Sequence, residues 1–421
     1  MKAKPTIKSS EFNNKPLWFS TINHLWKGAY TIGAEVRLTK DRLIKSAKSD
    51  CGLTDLGADF WDEPLDKLLY AVNNEANLHP IGRFITKKRL ENLLCVRLRA
   101  EHYFKKYPEI LEQDIYPVTV IMGLQRTGTT KLQRLLSADP DCRALLSWEA
   151  LNPAPIKGDE HTGKERIKFA KMSEHALRYM SPGFFAIHPV EHQAPEEDVL
   201  MLDVSFQSTT AEATMHVPTY AAWLETIDQS NAYAYNAKLL RLLQWQRPGK
   251  RWVLKTPHHL EFPDLVLKHF GDVQFVWTHR NVLEAIPSFL SMVAYSRGLF
   301  SNSIDINEIA QHWVRKIGFM LDRAMSFRSA DDHYKLFVDV HFSELISESQ
   351  SVLSKIYNHR HQNINPSLEN CFLQNEENNP KGKYGKHIYK VTDFGITNDF
   401  ILKETNAYQK FYHHLKSVNE K

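Results

Sequence analysis

The sequence has 421 residues, of which 43% are apolar and 24% are charged, and its formal net charge is +4. This composition is ordinary for a soluble globular protein and excludes a strongly basic nucleic-acid binder, so any anion site has to be local. The four cysteines lie far apart without a CxxC pair, which favours reduced thiols over disulfides or a metal site. We see no apolar signal core and no run near the ~20 apolar residues that span a bilayer, and we therefore expect a soluble, cytoplasmic protein.

Residues 1–112 are predicted to form an N-terminal helical region. Residues 1–15 are expected to form a loose tail, whereas residues 18–109 show the helical spacing of apolar residues. One such series is Leu65, Leu68, Leu69 and Val72. We find no catalytic signature in this region, so we expect it to pack against the rest of the chain or to line a substrate cleft.

From Tyr116 onwards, short β-rich runs alternate with helical patterns. The runs cover residues 118–122, 251–254, 273–278 and 335–340. Helical patterns follow them at residues 130–137, 261–270, 282–296 and 343–357. This alternation predicts an α/β fold, a P-loop-like parallel sheet flanked by helices, in a domain that spans residues 113–421. Between the first two predicted strands lies a helical insert rich in aromatic residues and histidine, residues 147–246.

A glycine-containing loop, Gly-Leu-Gln-Arg-Thr-Gly-Thr-Thr at residues 123–130, follows the first strand and opens a helix. Two glycines at this spacing are typical of a phosphate-binding loop, whose backbone N–H groups and helix N-terminus face an anion. A nucleotide triphosphatase would carry lysine where Thr129 stands, and here the basic residue is Arg126. The pattern therefore favours a phosphate-like group other than the terminal phosphate of ATP. The residues that we assign to this site are Arg126, Thr127, Gly128, Thr129 and Thr130.

Two further basic residues follow predicted strands. Lys255 comes directly after the second run, and Arg280 comes shortly after the third. Ser288 lies eight residues beyond Arg280, which is about two helical turns. Because ligands of an open parallel sheet bind beyond the carboxyl ends of its strands, we expect these three residues to lie near the loop.

Four histidines are candidates for a general base, because an imidazole with a pKa of about 6.5 accepts a proton at neutral pH. They are His188, His192, His258 and His259. The first two belong to residues 184–198, which also contain four acidic residues, so this segment is either a histidine–carboxylate pair or a solvated turn. A zinc site from His188, His192 and Glu197 is a weaker alternative, because no fourth ligand suggests itself.

Together these segments resemble the PAPS-dependent sulfotransferases, which use 3′-phosphoadenosine 5′-phosphosulfate. Residues 123–130 are similar to the Gly-x-x-Arg-Thr/Ser-Gly-Thr-Thr loop of the bacterial branch, and residues 254–260 to its Leu-Lys-Ser/Thr-Pro-x-His-Leu segment. Arg280 and Ser288 match the 3′-phosphate signature of the family, and residues 379–383 resemble its late basic loop. The resemblance covers roughly residues 40–400.

The resemblance implies an enzyme that moves a sulfuryl group from PAPS to an acceptor hydroxyl or amine without a metal. Arg126, Lys255 and the loop N–H groups suit the stabilisation of charge on the moving group and the leaving phosphate. His259 matches the family's histidine position and is therefore the favoured base. The residues that would close over the 3′-phosphate are Lys381, Gly382 and Lys383. The acceptor is a small molecule, a lipid or a sugar, and we expect no nucleic-acid partner.

Two other functions are compatible with a P-loop-like protein. A kinase or nucleotide triphosphatase would turn over Mg-ATP, but Thr129 stands at the position of the required lysine. A catalytically inactive protein would keep the nucleotide site only to bind a partner, and the presence of Lys255 and His259 argues against this.

Aromatic residues of the insert either line an acceptor pocket or, more often in such proteins, belong to the core. They are Phe206, Tyr220, Trp223, Tyr233, Tyr235 and Trp245. The sequence is compatible with a homodimer.

Overall fold

The computed structural model describes residues 6–8, 12, 15–29, 37–156, 158–380 and 386–419. A short strand, β1 (Thr6–Lys8), lies in the segment predicted to be a loose tail. Helices within the described ranges then precede the main sheet, as the apolar spacing predicts. They are α1 (Leu17–Ala29), α2 (Lys40–Cys51), α3 (Asp62–Asn74) and α4 (Pro80–Lys106).

Five parallel strands form the main sheet, which confirms the predicted α/β fold. The strands are β2 (Val118–Gly123), β3 (Cys142–Ala144), β4 (Arg251–Lys255), β5 (Val273–His279) and β6 (Phe337–His341). Their order is β3-β4-β2-β5-β6, which places β2 at the centre. The short edge strand β3 was not predicted, because its three residues include Arg143 and form no apolar run.

The helices alternate with these strands or fill the segment between β3 and β4. Those of the segment are α6 (Ser147–Leu151), α7 (Lys164–Met180), α8 (Pro182–Ile187), α9 (Val199–Leu202), α10 (Thr210–Thr214), α11 (Pro218–Leu224) and α12 (Ser230–Gln246). Those next to strands are α5 (Thr129–Leu136), α13 (Pro263–Phe270), α14 (Val282–Phe300), α15 (Ile306–Ser329), α16 (Phe342–Ser347) and α17 (Ser349–His359). The single helix predicted over residues 343–357 is therefore two helices.

The C-terminal part of the chain contacts the N-terminal strand β1. It contains α18 (Pro366–Asn378), β7 (Lys386–Ile388), α19 (Asn398–Glu404) and α20 (Asn406–Asn419). Strand β7 pairs in parallel with β1, with Thr6 opposite Lys386. Within the described ranges, no helix is both long and apolar enough to cross a bilayer.

The two faces of the sheet belong to different hydrophobic clusters. In β2, Val118, Val120 and Met122 point into the larger cluster, whereas Ile121 belongs to the smaller one on the opposite face. Because both faces are covered, the central strands are continuous apolar runs, which made them visible in the sequence. Leu94 of α4 shares the larger cluster with β2. The domain boundary between residues 112 and 113, and the bounds of the insert, stay predictions.

Candidate active site

The carboxyl ends of three neighbouring strands meet at one edge of the sheet. In the central strand Ile121 pairs with Lys255 of β4, and Gly123 pairs with Thr278 of β5. The loop after β2, the lysine that ends β4 and Arg280 just after β5 are thereby placed side by side. This is the edge where an open parallel sheet binds ligands.

The loop at residues 123–130 has a backbone that two glycines make possible. Gly123 has φ 146°, and a Cβ there would lie 2.3 Å from Thr278 Oγ1. Gly128 has φ 93° and caps α5, and a Cβ there would lie 2.9 Å from Leu345 Cδ2. Between them Arg126 has φ 71°, a left-handed conformation that is uncommon outside glycine and often marks functional sites.

The three threonines of the loop have different environments. The Thr127 hydroxyl donates to Leu124 O at 2.6 Å and lies 2.6 Å from Thr278 Oγ1, so this side chain anchors the loop to β5. Thr129 and Thr130 open α5 and line a cavity beside the loop. Of the threonine side chains assigned to anion binding, these two are therefore the better placed.

Arg126, Arg280 and Ser288 are brought together as one hydrogen-bonded cluster. Arg126 Nε donates to Ser288 Oγ at 3.0 Å, and Arg126 Nη1 donates to Ile187 O at 3.3 Å. Arg280 Nη1 donates to Arg126 O at 2.8 Å, and its other nitrogens donate to Glu284 Oε2. Burial lowers the pKa of the Arg126 guanidinium, which nevertheless stays charged at any working pH. The sequence predicted this proximity, because Arg126 and Arg280 follow the carboxyl ends of strands and Ser288 lies eight residues after Arg280.

Lys255 is buried at the same edge, with 2% of its side chain exposed. Its Nζ donates to Glu197 Oε1 at 2.7 Å, and the Thr256 hydroxyl lies 3.5 Å from Glu197 Oε2. Glu197 was absent from the predicted catalytic and cofactor residues, although it was considered for zinc. The signal that pointed to it was the acidic run Glu196-Glu197-Asp198 in a segment with two histidines, but its lysine partner depends on tertiary contacts.

His259 does not line the cavity beside the loop. Its side chain is fully buried, with Nε2 2.8 Å from Asp198 Oδ2 and Nδ1 3.0 Å from the Tyr233 hydroxyl. Both ring nitrogens are thus engaged inside the protein, and the geometry does not support the sequence preference for this histidine as the base. Its bonds hold the chain after Lys255 against α12.

His192 also lies away from the loop. Its Nδ1 is 2.6 Å from Glu174 Oε2, and it borders a groove of about 590 Å³ that Arg134 and Arg247 also line. This groove shares Arg134, Glu191, Ala194 and Pro195 with the recess beside the loop. One member of the alternative zinc set, His192, is therefore engaged with Glu174. Among the described residues, no group of three or more His, Cys, Asp or Glu side chains is arranged to hold a metal ion.

His188 and His258 line the cavity beside the loop. His258 Nε2 is 3.3 Å from Gln229 Oε1, and burial lowers the pKa of His258 well below 6.5. Burial also lowers the pKa of His188, partly offset by the nearby Glu196 and Glu197 carboxylates. Both rings are therefore neutral at pH 7, the form that accepts a proton.

The cavity has a volume of about 400 Å³. A smaller recess of about 120 Å³ adjoins it, lined by Lys255 together with Arg126, Thr130, His188 and Glu196, which border both spaces. The remaining wall of the larger cavity is mostly apolar. The insert aromatics named from the sequence are absent from this wall, and residues such as Tyr220 and Tyr233 are core residues instead.

The basic loop predicted to close over a 3′-phosphate, Lys381, Gly382 and Lys383, lies outside the described residues. Asn379, which precedes it, accepts a hydrogen bond from Arg134 at 2.9 Å. This contact places Asn379 against helix α5.

Comparison with known proteins assigns the chain to a class. A model of the sulfotransferase family matches residues 117–364, which is more than half of the chain, and the chain therefore belongs to the sulfotransferase family. Family and fold together assign its reaction to sulfuryl transfer.

Two solved structures show the same architecture. The sulfotransferase STF1 from Mycobacterium tuberculosis H37Rv is 28% identical, with a TM-score of 0.77 over 88% of this chain and 98% of its own. The sulfotransferase STF9 from Mycobacterium avium is 24% identical, with a TM-score of 0.79 over 90% of this chain and 97% of its own, a likeness of fold alone. A search of curated proteins finds no match.

Proposed function

We propose that the protein transfers a sulfuryl group from PAPS to the hydroxyl or amine of a small molecule, a lipid or a sugar. The observation that carries this proposal is the cluster of Arg126, Ser288 and Arg280 against a phosphate-binding loop that lacks the Walker lysine. These groups are hydrogen-bond donors and cations, which suits a bisphosphate nucleotide. The proposal includes PAPS as co-substrate, no metal requirement and a cytoplasmic location.

The residues present fit the two anionic ends of PAPS. The N–H groups at the start of α5, with the Thr129 and Thr130 hydroxyls, would hold the 5′-phosphosulfate. Arg280 and Ser288 would hold the 3′-phosphate, together with the basic loop at residues 381–383. Arg126 stands between these groups, since its guanidinium reaches Ser288 and its carbonyl reaches Arg280.

When bound, PAPS supplies an activated sulfuryl group. The chain has to position the acceptor, accept its proton and stabilise the negative charge that develops on the leaving phosphate. Lys255 is buried at the recess beside the loop, where its ammonium stabilises negative charge on the leaving phosphate. His188 borders both the recess and the larger cavity, which is where an acceptor hydroxyl meets the sulfuryl group. We therefore assign proton acceptance to His188, with His258 and Glu197 as the alternatives that border the same cavity.

Binding of adenosine 3′,5′-bisphosphate in the presence of EDTA tests the nucleotide half of the proposal. We expect the thermal unfolding midpoint to rise with bisphosphate and to stay unchanged with Mg-ATP. A shift with Mg-ATP and none with bisphosphate would favour a kinase or nucleotide triphosphatase.

Transfer of labelled sulfate from PAPS to a broad acceptor panel tests the catalytic half. We expect a sulfated product in EDTA, because the proposed mechanism uses no metal. Bisphosphate binding without transfer to any acceptor would favour the catalytically inactive alternative.

A further inference from the structure

The cavity beside the loop restricts the chemical class of the acceptor, given the sulfotransferase function proposed above. Its inner end is the junction formed by Arg126, Thr130, His188 and Glu196, which border both the cavity and the recess with Lys255. The sulfuryl group has to be presented at this junction, because the loop and the lysine lie there. Within the described chain, two spaces adjoin the recess, namely this cavity and the groove beside His192, which shares Arg134 and Glu191 with the recess. The body of the acceptor is assigned to the cavity, because the loop residues Arg126 and Thr130 border the cavity and not the groove.

That space is enclosed by large apolar side chains of α14 and α15. They are Phe289, Met292, Val293, Phe300, Trp313 and Met320. Phe289 and Trp313 meet edge to face, with ring centroids 4.9 Å apart and an interplanar angle of 87°, so packed aromatic rings form part of this wall. Such a wall favours the burial of an apolar body over a polar one.

Several polar side chains of the wall are already bonded within the protein. Arg89 forms an ion pair with Asp203. The Thr214 hydroxyl donates to Thr210 O at 2.8 Å, and the Thr210 hydroxyl accepts from Ser208 Oγ at 3.1 Å. Gln125, Thr209 and Ser296 also line the wall, so few polar partners remain for a sugar or a charged acceptor, and the loss of its hydration is costly.

We infer that the acceptor is an uncharged alcohol or phenol with an apolar body, rather than a sugar or a charged molecule. Its hydroxyl lies at the junction and its body lies against Phe289, Trp313 and Met320. In the transfer, the acceptor oxygen forms a new S–O bond while the bond from sulfur to the bridging oxygen of the 5′-phosphate breaks. The hydroxyl proton passes to His188, and the bisphosphate leaves with the negative charge.

A homologous series of primary alcohols from 1-butanol to 1-octanol tests this inference with the full chain and PAPS. Because each buried methylene strengthens binding in an apolar site, kcat/KM should rise about fourfold per added methylene until the cavity is filled. Glucose and inositol, at equal concentration, should be sulfated at least about 10²-fold more slowly than 1-octanol.

Ala213 lies on the cavity wall, and Ala213→Phe should fill part of the space. We expect the advantage of 1-octanol over 1-butanol to shrink about tenfold or more in this variant. Ala222→Phe is the matched control, because Ala222 is exposed on the neighbouring helix α11 and is absent from the wall. Thermal unfolding and bisphosphate binding show whether both variants are folded. If Ala213→Phe is unfolded, the alcohol series measured with the unaltered protein is the test of the inference.

Each result separates this inference from the function on which it rests. A flat chain-length series, or sugar turnover equal to that of 1-octanol, overturns the apolar acceptor. Bisphosphate binding with transfer to none of the alcohols also overturns it, while the nucleotide site stands. Failure to bind bisphosphate overturns the proposed function itself.

Discussion

The proposed donor side of the site and its proposed acceptor side are built in contrasting ways. On the donor side, short segments at the ends of β2, β4 and β5 supply backbone N–H groups and cations, and Arg126 is hydrogen-bonded to Ser288 and to Arg280. On the acceptor side, side chains from α14, α15 and the helices between β3 and β4 enclose an apolar cavity with few hydrogen bonds to offer.

Because of this contrast, we expect amino-acid substitutions to have different effects on the two sides. A polar network fixes the positions of its members, and the loss of one leaves others without partners. An apolar wall acts through shape and area, so a substitution there alters which molecule fits rather than whether any molecule reacts. Large losses of activity should therefore follow changes on the donor side, and changes of specificity should follow changes on the acceptor side.

The largest expected effect is that of Arg126→Ala. Because Arg126 bridges Ser288 and Arg280, we expect bisphosphate affinity and kcat/KM to fall about 10³-fold. Isothermal titration with bisphosphate and initial-rate measurements with PAPS check this. Arg315→Ala is the control, since Arg315 is paired with Glu225 at an exposed position. If the two variants were equally active, the donor side would not be the network described above.

His188→Gln tests the junction between the two sides. We expect kcat to fall about 10²-fold, with bisphosphate binding retained, because the ring would act on the acceptor proton. In the unaltered protein, burial holds the pKa of His188 below 6.5, so activity should rise as pH rises through a value below 6.5 and then stay level. The variant should lose that rise.

His192→Gln is the matched control for the pH profile, since His192 borders the other groove and is bonded to Glu174. Retained activity in His188→Gln, combined with its loss in Glu197→Gln or His258→Gln, would move the base to one of those residues.

Gly123→Ala tests whether the donor loop depends on its backbone. A methyl group there would clash with Thr278 in addition to the strain of φ 146°, and we expect a loss of about 2–3 kcal/mol in the free energy of unfolding. Gly52→Ala serves for comparison, because Gly52 has φ 65° but nothing within 4 Å of the added carbon. Its loss should be about 1 kcal/mol. Equal losses in denaturant titration would mean that close packing at β5 is unimportant.

The smallest expected effect is that of Asp339→Asn, a substitution in strand β6 of the sheet that supports the donor side. Burial raises the pKa of Asp339, but hydrogen bonds from His279 and Arg328 outweigh it and leave the pKa below the usual 3.8. The contribution of the Asp339 carboxylate to the free energy of unfolding is therefore full above about pH 4. It is lost as the carboxylate takes up a proton at lower pH. Asp339→Asn should lower the unfolding midpoint by roughly 2–4 °C at pH 7. The difference should shrink towards pH 3; a constant difference across this range would contradict the charge assignment.

The donor side could be predicted from the sequence because its information is local. The glycine spacing of residues 123–130 and the residues that follow β4 and β5 lie in short segments, and a parallel sheet brings strand ends together whatever the intervening chain does. Strands β2 and β5, buried on both faces, were visible as apolar runs. The short polar strand β3 offered no such run.

The acceptor side could not be predicted in this way. Ala213, Phe289 and Trp313 are far apart in the chain, and helix packing alone decides that they share a wall. His259 illustrates the same limit, because its motif position indicated a base while Asp198 and Tyr233, distant in sequence, occupy both ring nitrogens. A sequence motif predicts the local course of the backbone. Residues distant in sequence determine whether a side chain of that motif is free to act on a substrate.

The bonding of Arg126 has a practical consequence for any assay of this protein. Within the described chain its guanidinium bonds to a hydroxyl and a carbonyl rather than to a carboxylate, so its positive charge stands beside Arg280 without neutralisation. Free inorganic phosphate or sulfate should therefore settle at this arginine and compete with the donor nucleotide. The composition of the buffer is then a kinetic variable, and rates measured in phosphate should be lower than rates measured in an uncharged or cationic buffer.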